Sequence, residues 1–232
     1  MILLCLASLV LSMLLGLLTF TAQKMMVTDV ALAGISVTTA LMMVFLSGEA
    51  LVGEIEKRTI DFMLSKPVTR FHFLLSTFLG LMLVGAFSIG IGGVTLVALL
   101  YFFHGTIALG LTVALVYMIL EIAIIASMGI MFSSFSSSSL TAILLCALVY
   151  ILGHVNPQLA VFARLLRNEL AGYLINAIRF LLPNLEYFNI RHEVSRGGMP
   201  GVFSLILTLG YTLLYVGSGI TVAFVAFRRR EL

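Results

Sequence analysis

Residues 71–103 read FHFLLSTFLGLMLVGAFSIGIGGVTLVALLYFF, 33 residues without one aspartate, glutamate, lysine or arginine. At about 1.5 Å per residue such a run makes a helix of about 50 Å, more than the roughly 30 Å of a bilayer's hydrocarbon core. It must tilt, kink at Gly90, Gly92 and Gly93, or begin in the aqueous phase. Five further apolar runs flank it, at about 2–22, 30–48, 106–132, 138–154 and 201–227. None alternates with the period of two that a membrane β-barrel requires. The fold class that follows is an all-α integral membrane protein with six transmembrane helices in a single domain over residues 1–232. A composition of 61% hydrophobic and 10% charged residues, with a mean hydropathy of +1.19, excludes an ordinary soluble domain.

The polar residues are gathered in a few places. Short turns are expected at Gln23–Asp29 and His104–Gly105, and a serine-rich joint, SSFSSSS, at Ser133–Ser139. Two longer polar segments remain, residues 49–70 and 155–200. Six spans put both termini on one side, and the three arginines of FRRREL, flush against the last span, place that side in the cytoplasm by the positive-inside rule. The basic residues number seven inside against six outside, so the orientation rests on compact clusters at span ends rather than on the count. The chain is then a multi-pass protein of the cell membrane, with residues 155–200 facing outward.

In that outer segment Leu159, Phe162, Leu166, Leu170, Tyr173, Ala177 and Leu181 recur at spacings of three and four, opposite Arg164, Asn168 and Arg179. This describes an amphipathic helix lying in the membrane interface, broken at Gly172 and stopped by Pro183. PNLEYFNIRHEVSRGGMPG follows as a polar connection to the last span.

Residues 54–73, EIEKRTIDFMLSKPVTRFHF, form the most polar stretch between two spans. As a helix, Glu54 stands three residues before Lys57 and four before Arg58, the favourable acid-first order. Pro67 ends that helix, and Thr69 caps the next one at Arg70. The composition alone permits a plain polar loop. The pattern also resembles the permease subunits of type-2 ATP-binding cassette exporters, which carry an acidic helix, a threonine, apolar residues, then Pro, a small residue and Arg before the third span. The matching residues here are Glu54, Glu56, Thr59, Met63, Leu64, Pro67, Thr69 and Arg70. MFSSFSSSS, YILGH and LPNLEYFNIR extend the likeness, the last two resembling the branch that contains the permease of nitrous oxide reductase maturation. Where many relatives have GK, this chain has Ser76 and Thr77.

The resemblance implies a transport permease working as a dimer with cytoplasmic ATPase subunits. Residues 54–64 would be the coupling helix, so that Glu54, Glu56, Lys57, Arg58, Thr59, Met63, Leu64, Pro67 and Arg70 meet the ATPase. ATP and magnesium would sit on that partner, since this chain has no GxxxxGK[ST] loop. Lipid surrounds the spans, and the outer segment is open to a periplasmic or extracellular partner. Nucleic acid is not indicated.

Glu121, near the middle of the fourth span, costs a few kcal/mol there unless paired or hydrated. It fits either a substrate path or an interhelical hydrogen bond. His72, His104, His154 and His192 read as boundary residues, their spacing supplying no metal motif. Cys5 and Cys146 lie in apolar runs and read as packing. Two other classes fit these residues less well. An intramembrane enzyme requires convergent acid, base or metal groups that this sequence does not display. An assembly or anchoring protein has no use for the coupling-like stretch.

Overall fold

A computed structural model describes residues 23–56, 69–104, 109–165 and 169–229, so the first apolar run, 2–22, lies outside the described residues. The described elements are helices in this order: α1 (Gln23–Glu49), α2 (Val52–Glu56), α3 (Arg70–His104), α4 (Leu109–Phe135), α5 (Ser139–His154), α6 (Asn156–Leu165), α7 (Glu169–Leu181), a 3-10 turn (Leu185–Phe188), α8 (Arg191–Ser195) and α9 (Val202–Arg229). No strand occurs among the described residues. Four helices are long and apolar enough to cross a membrane, within Met25–Glu49, Arg70–Phe102, Gly110–Phe135 and Val202–Arg228. The pair α5 and α6, bent by 64° at its junction, makes a fifth if taken as one broken span.

Helix α4 is the centre. Its apolar window is 72% buried, against 17% for α9, and it packs on α1, α3, α5 and α9. Tyr117, Ile122, Ile124 and Ile130 are fully enclosed along it. In lipid the hydrophobic effect does not distinguish a neighbouring helix from an acyl chain, so close approach through small residues decides which helices meet. Two such contacts fix α1. A Cβ at Gly129 of α4 would run into Ser47, and one at Gly48 would lie 2.8 Å from the Ile143 backbone of α5. Ser47 is fully buried there and satisfies its hydroxyl on the Met43 carbonyl at 2.6 Å.

Several expectations change. Gln23–Asp29 is not a turn but the first two turns of α1. The stretch is polar yet holds neither glycine nor proline, and polarity alone does not interrupt a helix. Helix α3 runs unbroken through Gly90, Gly92 and Gly93. Glycine at 92 and 93 faces Ile35 and Leu115 closely, whereas nothing lies within 4 Å of a Cβ at Gly90. Gly172 does not break the amphipathic segment either. It sits inside α7, where a Cβ would make ordinary contact with the Ala163 carbonyl at 3.4 Å. Of the predicted stripe, Phe162, Leu170, Tyr173 and Leu181 are exposed, an apolar face turned away from the bundle.

Replacing Gly129 by valine is expected to cost about 1–3 kcal/mol through overpacking against Ser47. Gly90→Ala is expected to be neutral or stabilising by up to about 1 kcal/mol, from helix propensity alone. Thermal unfolding of the two variants in detergent micelles tests the pair. Equal melting temperatures would contradict the assigned α1–α4 contact.

Candidate functional sites at the two ends of the bundle

At one end stand Glu49, Arg70 and Arg228. Helix α1 stops at Glu49, Ala50 N–H donates to the Ser47 carbonyl, and α2 begins at Val52. A helix start leaves backbone N–H groups without partners. Here they are met from another helix, because Ser133 Oγ of α4 accepts from both Leu51 N and Val52 N at 3.0 Å. Ser133 is fully buried, so this cap is made in an apolar setting formed by Leu51, Leu74, Ile130, Ala223 and Phe227. The serine-rich joint is thereby more than a flexible connector. Its first serine ties the segment after α1 to the central helix.

The far end of the same segment is tied to α9. Thr69 caps α3 as expected, accepting from His72 N at 3.4 Å. Arg70 Nη1 donates to the carbonyls of Phe227 and Arg228 at 3.0 and 3.1 Å, and its guanidinium lies 5.7 Å from the Phe227 ring centroid. A cation on the last carbonyls of a helix offsets the negative end of its dipole. Glu54 lies half-buried in α2. The Glu56 side chain and Lys57, Arg58, Thr59, Met63, Leu64 and Pro67 lie outside the described residues, as do the Glu54–Lys57 and Glu54–Arg58 pairings.

The second site lies deeper. Helix α5 has only 16 residues, about 24 Å of rise, because Pro157 has no N–H to carry the helical hydrogen bonding onward and the chain turns by 64° at Val155 into α6. Its last residue therefore falls level with the middle of α4. His154, the last residue of α5, turns toward α4: its Nε2 lies 3.4 Å from Glu121 Oε1, and its ring lies against Tyr150 at a tilt of 58° with centroids 4.7 Å apart. Ser36 of α1 donates to Glu121 Oε2 at 3.4 Å. The carboxyl is 4% exposed and joined to two neighbouring helices.

The space above the truncated α5 is filled by the segment expected to be a polar connection. Pro183 ends α7, and Asn184 Oδ1 then accepts from Glu186 N at 3.2 Å to start the 3-10 turn. Asn184 N donates to Tyr211 Oη at 2.7 Å, and Tyr215 Oη to the Leu182 carbonyl at 3.4 Å, tying the segment to α9. Leu185, Phe188 and Val194 are buried in the core. Gly197, at φ 81°, makes the turn after α8 in a conformation that only glycine adopts freely. His192 Nδ1 lies 3.4 Å from Asp29 Oδ1 of α1. Arg191 reaches a cavity of about 90 Å³ shared with Ser36, Glu121, Tyr150, His154 and Asn189.

Glu121 is the one member of this cluster marked by the sequence as a site. Arg191, Tyr150, Ser36 and the role of His154 were missed, since their meeting depends on where α5 stops. The signal available was the short interval between Ser139 and Pro157. Among the described residues no three His, Cys, Asp or Glu side chains gather in a way that would hold a metal ion. The arrangement can hold polar solutes and link the connector to three helices.

Residues 5–232 match the family model described as ABC-2 family transporter protein. No curated protein matches the chain.

Ser133→Ala would leave two buried N–H groups without their acceptor, and is expected to destabilise the protein by about 1–3 kcal/mol. Ser137→Ala, in the joint between α4 and α5, is expected to change stability by less than about 0.5 kcal/mol. Denaturation of both variants in mild detergent measures the difference.

Proposed function

The chain belongs to the ABC-2 family of transporter proteins, and from that membership we propose how this permease subunit is driven: residues 49–70 couple it to a separate cytoplasmic ATPase subunit. The observation that carries this reading is the anchoring of both ends of the segment. Ser133 holds one end to α4, and Arg70 holds the other to the end of α9. A push on the middle of a segment fixed in this way is delivered to two packed helices at once.

In this reading Glu54, Glu56, Lys57, Arg58, Thr59, Met63, Leu64 and Pro67 meet the partner, which carries ATP and magnesium, while Arg70 transmits the load. The permease works with a second permease copy. Residues 2–22 supply a sixth span beside the five formed by α1, α3, α4, the short α5, and α9. Both termini lie in the cytoplasm, and the connector and the α6–α7 hairpin face outward, the hairpin's apolar face in the lipid interface. Nucleotide binding draws the two ATPase subunits together, their motion moves the anchored segments, and the bundles change the side to which their interface opens.

A likeness to the nitrous oxide reductase maturation branch is supported by one spatial relation. YILGH and LPNLEYFNIR, far apart in the chain, supply Tyr150, His154, Asn189, Ile190 and Arg191 to a single cavity. In this reading the connector meets a partner outside the membrane.

Affinity capture of the tagged full-length protein from solubilised membranes is expected to recover an ATPase subunit. Reversing Glu54 and Glu56 to lysine is expected to abolish capture, or to leave ATP hydrolysis running while transport falls about tenfold or more. A reversed variant that captures the ATPase and transports normally would refute the coupling assignment.

A further inference from the structure

Glu121 and Arg191 line one cavity as a buried acid and a partly buried base, yet they do not close on each other as an ion pair. Glu121 Oε1 and Arg191 Nε are both shut off from solvent, and neither makes a hydrogen bond. Charged groups in an apolar interior are strongly favoured to find charged or hydrogen-bonding partners. Glu121 does have Ser36 on its other oxygen and the His154 ring 3.4 Å away, which fixes the direction of Oε1. The two unsatisfied atoms are chemically complementary: one calls for a cationic donor, the other for an anionic acceptor.

We propose that this cavity binds a small zwitterion, its ammonium group on Glu121 and its carboxylate on Arg191. Charge balance selects the class. Glu121 is the carboxyl and Arg191 the guanidinium of the lining, so a ligand with both charges adds no net charge to the site, whereas a lone cation or anion adds an uncompensated one in a low-dielectric setting. Charge-assisted hydrogen bonds at both ends give the recognition its strength and direction. Size selects further. A cavity of about 90 Å³ favours a small ligand. The apolar part of the lining is Leu32, Val37, Ala114, Met118, Phe188 and Ile190, against which a ligand's carbon atoms would pack.

The bound ligand has a structural consequence. It bridges α8, through Arg191, to α4, through Glu121, and adds to the His192–Asp29 contact that already holds α8 against α1. Occupancy therefore pins the connector onto the bundle, and release frees it. The site lies within one copy of the chain and its binding involves no nucleotide, so its test stands apart from capture of an ATPase.

Isothermal titration of the full-length protein in lipid nanodiscs, with glycine, acetate and methylammonium as three separate probes, decides the matter. Saturable glycine binding is expected, with acetate and methylammonium each at least about tenfold weaker. Glu121→Gln and Arg191→Gln are each expected to weaken glycine about tenfold or more, while Ser204→Ala, which touches Tyr117 outside the cavity, leaves it unchanged. Glycine is also expected to slow amide exchange over residues 191–195. Acetate binding as tightly as glycine would replace the proposal with an anion site. No saturable binding of glycine to the unmodified protein would overturn it, and that comparison does not depend on the variants folding.

Discussion

A helix of 16 residues set in a layer that asks for about 20 is the constraint on which this architecture depends. Pro157 ends α5 short, and the backbone and side chains at its tip are left at the level of the middle of α4. An apolar surround offers no water to satisfy them, so other protein groups must. His154 meets Glu121, Asn156 and Arg179 bond one another across the base of the α6–α7 hairpin, and the connector folds inward to fill the remaining volume. The buried carboxyl, the pocket and the inward connector are consequences of one early stop.

The same rule acts at the opposite end with a different solution. There α1 breaks before α2, and its successor's first amides need acceptors where Leu51, Ile130 and Phe227 exclude solvent. A serine on α4 provides one oxygen for two amides, and Arg70 covers the last carbonyls of α9. Hydrogen-bond completeness thus joins the segment between α1 and α3 to two helices that are distant in sequence. Under the proposed coupling, those joints are the mechanical path into the bundle.

The sequence by itself determined that the chain is helical, that it is embedded in a membrane, and that several of its apolar runs are long enough to cross it. Apolar length and the absence of strand periodicity are local properties, and lipid converts them directly into spans. It marked Glu121 too, since an acid in such a run stands out without any knowledge of its neighbours. Helix ends were less legible where polarity and chain-breaking separate, as at Gln23–Asp29, which stays helical without glycine or proline. Only the tertiary structure decided that His154 faces Glu121, that Arg191 shares its cavity, and that Ser133 caps a helix 81 and 82 residues away in the chain. These relations depend on how far one helix reaches beside another. That offset is set by glycine-scale contacts such as Gly129 on Ser47, whose effect arises between segments and leaves no periodic trace within either.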